Sequence, residues 1–186
     1  MENEFERQGI TFKTITEDMF PTVVEFMWKH FFPEEPLNRS LGITQNWYVD
    51  DLYLIDSMKD GTSIAAFNSD GKIIGVRLGM RKRRSDWISW LIEKIMLSLP
   101  MSLLLWMIPK EMQQLPTFLK LIDLLEYDVW KMFGKMNCEL IYEDKAVCSA
   151  RDSGVRGLGT ELCRRTEVMA KDLGCTHTYA LVTGKT

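Results

Sequence analysis

The stretch "DSGVRGLGTELCRRTEVMAKDLGC", residues 152–175, places three glycines, Gly154, Gly157 and Gly159, at the start of an amphipathic pattern. Leu158, Leu162, Thr166, Met169 and Leu173 recur at spacings of four, four, three and four, which predicts one face of a helix ending at Gly174. Glycine lets a chain turn sharply, and a plain turn is one reading of these residues. Inside the first turn of a helix, however, glycine costs stability unless something must come close to the backbone. Free N–H groups at a helix start, with the positive end of the helix dipole, make a site for a phosphate. The stretch therefore predicts a phosphate cradle, and the rest of the chain has to say whose phosphate it holds.

At 186 residues the chain has the size of one domain able to bury a core. Its 46% hydrophobic and 26% charged residues are those of an ordinary globular protein. A formal net charge of -3 argues against general nucleic-acid binding, which needs a basic surface to meet the phosphate backbone. The run Arg81, Lys82, Arg83, Arg84 is the exception, and it reads as a solvated loop rather than a polyanion patch. Cys138, Cys148, Cys163 and Cys175 stand too far apart for a C-x-x-C motif, and two histidines do not complete a zinc site. The thiols are expected to be reduced and buried. The acidic start "MENEFERQGITF" has no secretory pattern, so a cytoplasmic location is expected. The apolar run 95–108 contains Pro100 and is shorter than the ~20 residues a spanning helix needs. It is expected to be a buried or lid-forming helix, with membrane-surface attachment near Trp87, Trp90 and Trp106 as an alternative.

"ITFKTI" alternates apolar and polar side chains as a strand does. "TEDMFPTVVEFMWKHFF" opens on Thr16 as an N-cap and sets Phe20, Val23, Val24 and Met27 on one helical face, until Pro33 and Pro36 stop it. A second helix is expected over "QNWYVDDLYLIDSMKDG", with Trp47, Leu52, Ile55 and Met58 facing inward. "SIAAFNSDGKIIGVRLGMR" predicts a hairpin turning at Ser69, Asp70 and Gly71. Residues 86–134, rich in Met and Trp and broken at Pro100, Pro109 and Pro116, are expected to form a helical insertion that could wall a pocket. "CELIYEDKAVCSA" and "THTYALVT" read as strands on either side of the opening stretch. The pattern is α/β: strand, two helices, two strands, helical insertion, strand, helix, strand.

The dinucleotide pattern G-x-G-x-x-G fails, because from Gly157 the chain reads G-L-G-T-E-L, and no Gly-Lys-Ser or Gly-Lys-Thr completes a P-loop. Residues 154–159, G-V-R-G-L-G, resemble instead the acetyl-CoA loop of the GNAT acetyltransferase superfamily, Q/R-x-x-G-x-G/A. Gly157 and Gly159 match, while Gly154 stands where that pattern has Gln or Arg. The order of elements resembles that fold through its fifth strand, and the hairpin looks like its second and third strands. "FFPEEPLN", residues 31–38, resembles the acid-Glu-Pro-Leu-Asn motif after the first helix of insect arylalkylamine N-acetyltransferases, which acetylate dopamine and serotonin. The resemblance spans nearly the whole chain. It implies a single GNAT domain over 1–186 with a mixed central sheet flanked by helices.

The resemblance further implies transfer of acetyl from acetyl-CoA, a co-substrate, to the primary amine of a small arylalkylamine, without a metal, by a monomer. Glu35 matches the family's catalytic base. Val147, Cys148 and Ser149 would meet the pantetheine arm, and the backbone of Gly154, Val155, Arg156, Gly157, Leu158, Gly159 and Thr160 would hold the pyrophosphate. Phe31, Phe32 and Glu34 would line the amine site, although either phenylalanine also suits a core. The chemistry agrees, since an aliphatic amine with a pKa near ~10.4 is an ammonium at neutral pH and cannot attack until it loses a proton. A carboxylate attracts that cation and then accepts the proton, directly or through water. A solvated acidic turn is the plain alternative for Glu34 and Glu35. His30 and His177 are given no role. The family continues past its fifth strand with a helix and two strands. For this chain that implies a short isoform, a fragment or a truncated reading of a longer gene, with the last strand left as an edge open to pairing. A short form that binds CoA or a protein partner without turnover is therefore the alternative function.

Overall fold

The computed structural model describes residues 9–43, 54–88 and 129–182, with scattered positions between 91 and 124. Strands β1 (Thr11–Thr14), β2 (Ile64–Phe67), β3 (Ile73–Arg83), β4 (Leu140–Ser149) and β5 (His177–Ala180) form one sheet in chain order. The first four are antiparallel to their neighbours, and β5 lies parallel to β4. A parallel neighbour requires a crossover, and the helix between those strands supplies it. The helices are α1 (Phe20–His30), α2 (Pro36–Leu41), α3 (Ile55–Lys59), α4 (Val129–Met136) and α5 (Leu158–Asp172).

Strand alternation sorts the helices onto two faces. Ala65 packs into a core with Val23, Met27, Phe32 and Met58, while the next residue, Ala66, packs with Leu158 and Leu162. Thus α1 and α3 cover one face and α5 the other. The first seven residues of β3 are all buried, as befits a strand covered on both sides. Arg77 is the charged exception at 4% exposure, and it is met by Asp144 on β4 and by the Cys163 sulfur on α5.

Several local expectations shift. A 3-10 turn, Glu17–Met19, precedes α1, and the Thr16 hydroxyl donates to Asp18 Oδ1 at 2.5 Å rather than capping the helix backbone. In the hairpin, Asn68 Oδ1 accepts from the N–H groups of Asp70 and Lys72 at 3.1 and 2.9 Å, so the turn is organised one residue earlier than expected. The basic run is not a loop, because β3 continues to Arg83. Arg81 pairs with Asp60 at 3.1 Å, Lys82 with Glu143 at 3.0 Å and Arg84 with Glu139 at 3.6 Å, which commits these charges within the fold. Helix α5 buries Leu158, Leu162, Thr166 and Ala170, and Leu173 is left 43% exposed. The four cysteines are free, Cys163 half-buried and the others buried.

Of the second expected helix, α3 is described, while Trp47 and Leu52 lie outside the described residues. Most of the insertion expected over 86–134, including Trp90, also lies outside them. No helix among the described residues is long and apolar enough to cross a membrane.

Gly75 sets the depth at which α5 sits on the sheet. A Cβ there would lie 3.0 Å from Leu158 Cδ2 and 3.0 Å from Leu162 Cδ1. Gly75→Ala is expected to cost about 1–3 kcal/mol through overpacking. A lowered urea midpoint would register that cost, and an unchanged midpoint would show that the contact is not tight.

Candidate active site

β4 and β5 pair over residues 141–144 of β4, whereas β4 continues to Ser149 alongside β3. One edge of residues 146–149 therefore has no strand partner among the described residues. The β3–β4 register shifts between Leu78 and Gly79, opposite Lys145, where β4 leaves β5 behind. Such a bulge bends a strand and re-aims its side chains. An extended ligand could hydrogen-bond along the open edge as a strand would.

After β4 the chain makes a 3-10 turn, Arg151–Ser153, and then turns through Gly154 and Gly157 at φ 68° and 74°. Those angles are strained for residues with a Cβ. Gly157 is the N-cap of α5 and brings no capping side chain, so the N–H groups of Leu158, Gly159 and Thr160 leave the helix end without intrahelical acceptors. The first helical bond is Glu161 N–H to Gly157 O at 3.0 Å. A Cβ on Gly159 would come within 3.9 Å of Val147 Cγ2, which places the start of α5 beside the end of β4. The one acid in that first turn, Glu161, is drawn down to about 2 by Arg164 and then Arg165, against the effect of its burial. Both guanidiniums donate to it at 2.8 Å, so its charge is neutralised locally and does not cancel the positive helix end.

On the other side of the strand edge, α1 ends at His30 and α2 begins at Pro36 with Glu35 as its N-cap. Glu35 Oε2 accepts from Asn38 N–H at 2.7 Å, and the proline at the first helical position has no N–H to leave unsatisfied. Asn38 is buried at 1% exposure and its Nδ2 donates to Phe32 O at 3.4 Å, which pins the turn to the core. Glu35 Oε1 makes no hydrogen bond among the described residues. Glu34 Oε2 is approached by Arg151 at 3.3 Å and Arg39 at 3.9 Å, so an ion pair ties this turn to the one after β4.

These pieces enclose a cleft of about 260 Å3 lined by His30, Phe31, Glu34, Glu35, Pro36, Val147, Cys148 and Ser149. The acidic motif and the strand residues expected to meet CoA thus share one cleft despite their distance in sequence. Burial pushes the Cys148 thiol up to about 12, with Arg151 pulling weakly the other way, so it stays a neutral wall and not a nucleophile.

No family model and no curated protein matches the sequence. Solved structures do match. The arylalkylamine N-acetyltransferase 2 of Aedes aegypti superposes with a TM-score of 0.75 over 95% of this chain and 77% of that chain, at 23% identity. An agmatine N-acetyltransferase gives a TM-score of 0.74 over 92% and 75%, at 16% identity. The polyamine N-acetyltransferase of Drosophila melanogaster gives 0.73 over 95% and 77%, at 15% identity. The chain has the GNAT acetyltransferase fold. At such identities the likeness is one of fold.

Within the GNAT fold the expected site residues separate into groups. Phe31, Glu34 and Glu35 line the cleft with Val147, Cys148 and Ser149. Phe32 does not line it: it is 2% exposed and packs in the core against Trp28 and edge-on to Phe31, because successive residues leaving a helix point in different directions. Residues 154–160 lie past the cleft, at the start of α5, and Val155 lines a second cavity of about 440 Å3. His30, given no role from the sequence, borders both cavities. The signal that could have found it is its position at the end of the amphipathic run, immediately before the acidic motif.

The capping bond gives Glu35 a structural task that can be measured by itself. Glu35→Gln keeps an acceptor oxygen and is expected to leave stability nearly unchanged, whereas Glu35→Ala is expected to cost about 1 kcal/mol as a lost N-cap. Urea denaturation of the two variants checks this, and equal midpoints would mean that the cap contributes nothing.

Proposed function

We propose that the chain is an N-acetyltransferase that moves acetyl from acetyl-CoA to the primary amine of an arylalkylamine of the dopamine, serotonin or tryptamine type. The observation that carries this reading is the shared cleft, where a carboxylate with one uncommitted oxygen stands across from an open strand edge. The edge at 146–149 suits the pantetheine arm, and the bare N–H groups following Gly157 suit the pyrophosphate. The ammonium is drawn to Glu35, loses a proton to Oε1 directly or through water, and attacks the thioester carbonyl. The acetyl–sulfur bond then breaks and CoA leaves as its thiol. With Cys148 neutral, the acetyl group passes to the amine directly and not through an acyl-cysteine. The protein acts as a cytoplasmic monomer.

The choice of amine rests on how the two acids are engaged. Glu34 is already matched by Arg39 and Arg151, which leaves Glu35 to hold one ammonium, and Phe31 offers an aromatic wall. That combination suits an aromatic monoamine better than a polycation, whose distal charge would need a second uncommitted acid. One observation favours another reading. Glu35 also has a structural task as an N-cap, which fits a chain that binds CoA without turnover.

Incubation with acetyl-CoA and tryptamine or dopamine, followed by release of free thiol, decides between them. Glu35→Gln is expected to lower kcat by about 100- to 1,000-fold with CoA affinity unchanged. Full turnover in that variant would remove Glu35 as the base, and CoA binding without any turnover by the unaltered protein would establish the second reading.

A further inference from the structure

We infer that His30 is the proton outlet of the cleft, carrying the proton that acetylation releases from the Glu35 side into the second cavity. The inference rests on the acetyl-transfer reading above. An ammonium nitrogen carries three hydrogens and an amide product carries one, so two protons leave the nitrogen in each turnover. One ends on the CoA thiol. The other must leave the cleft before Glu35 can act again.

Geometry singles out His30 for that step. It is the last residue of α1 and, among the described residues, the one shared by the linings of the 260 Å3 cleft and the 440 Å3 cavity. Its ring is half-buried and lies 4.7 Å from that of Phe26, tilted by 43°, and Phe26 also lines the larger cavity. The titratable and charged groups that line the two spaces with it are Glu34 and Glu35 in the cleft, and Glu25 and Lys29 on α1, Lys72 on the hairpin and Asp152 after β4 in the larger cavity. Burial, then Lys29, hold its pKa below the ordinary 6.5, with Lys72 adding to the effect and Asp152 opposing it. The neutral ring that results can accept a proton on one nitrogen and release one from the other. A ring nitrogen takes the proton from Glu35, directly or through water. The other nitrogen gives a proton to water in the larger cavity, and the ring returns to neutral by a flip or by tautomer exchange.

A structural histidine and a proton outlet predict different results. His30→Ala is expected to lower kcat near neutral pH by about ten- to a hundredfold while the KM for the amine and the affinity for CoA change less than about twofold. Free imidazole, which the larger cavity can admit, is expected to restore kcat in His30→Ala and to have no effect on Glu35→Gln. In the unaltered protein kcat should fall on the acid side, with an inflection displaced below the ordinary imidazole value of 6.5, where the ring becomes charged, and His30→Gln should lose that inflection while retaining CoA binding as proof of folding. Variants with unaltered kcat at every pH, or a loss in kcat that imidazole does not repair, would overturn the outlet and leave acetyl transfer intact. An unaltered protein inert towards every amine would overturn the acetyl-transfer reading, and the outlet with it.

Discussion

The contact between α5 and β3 at Gly75 fixes most of what matters at the candidate site. Without a Cβ there, Leu158 and Leu162 settle onto the strand, and their residue numbers place that contact in the first two turns of the helix. The anchored part of α5 is therefore its N-terminal end. The backbone must then reach that end from Ser149 through a short turn, and residues in the left-handed region at Gly154 and Gly157 make the connection. The loop is rich in glycine because two packed elements leave it little length, and the same geometry leaves the helix N–H groups bare. Structural and binding explanations of the glycines, which compete when the sequence is read alone, are thus compatible in one loop.

A second constraint follows from the crossover. Because α5 returns the chain to a parallel neighbour, β5 begins beside the start of β4 and is exhausted at Ala180, while β4 runs five residues beyond Asp144. Backbone groups at a strand edge need partners from water, protein or ligand. The edge at 146–149 thus has the requirement, and the bulge near Lys145 the bend, for an extended guest.

Periodicity made the main elements legible: the apolar faces of α1 and α5 and the hairpin follow directly from spacing. It failed where the decisive contact is non-local. The basic run looked like a loop because its partners, Asp60, Glu139 and Glu143, come from other elements and cannot be inferred from the run itself. Leu173 looked buried because the 3.6-residue period was carried past the last turn that the sheet covers, where Ala170 takes its place. Phe31 and Phe32 are equivalent in composition and differ only in direction, which sequence does not encode at a helix end. His30 was invisible for the same reason: it borders two cavities, and those are made by the hairpin, the turn after β4 and the acidic motif together.

Glu34 and Glu35 are adjacent and chemically alike, yet the fold divides their tasks. Glu34 bridges two arginines and holds the turn before α2 against the turn after β4. Glu35 is fixed by a single backbone N–H through one oxygen. That bond holds the side chain in one orientation, so the entropy of fixing it is lost on folding, as the proposed role of a base would require. The cap engages Oε2 and leaves Oε1 without a hydrogen bond among the described residues, so in the proposed reaction capping and proton transfer would use different atoms of the same carboxylate. A helix N-cap is in this sense a rigid mounting for the proposed base: the proline that follows it commits the backbone, the buried Asn38 fixes the donor, and the acid is held at the cleft by the fold itself.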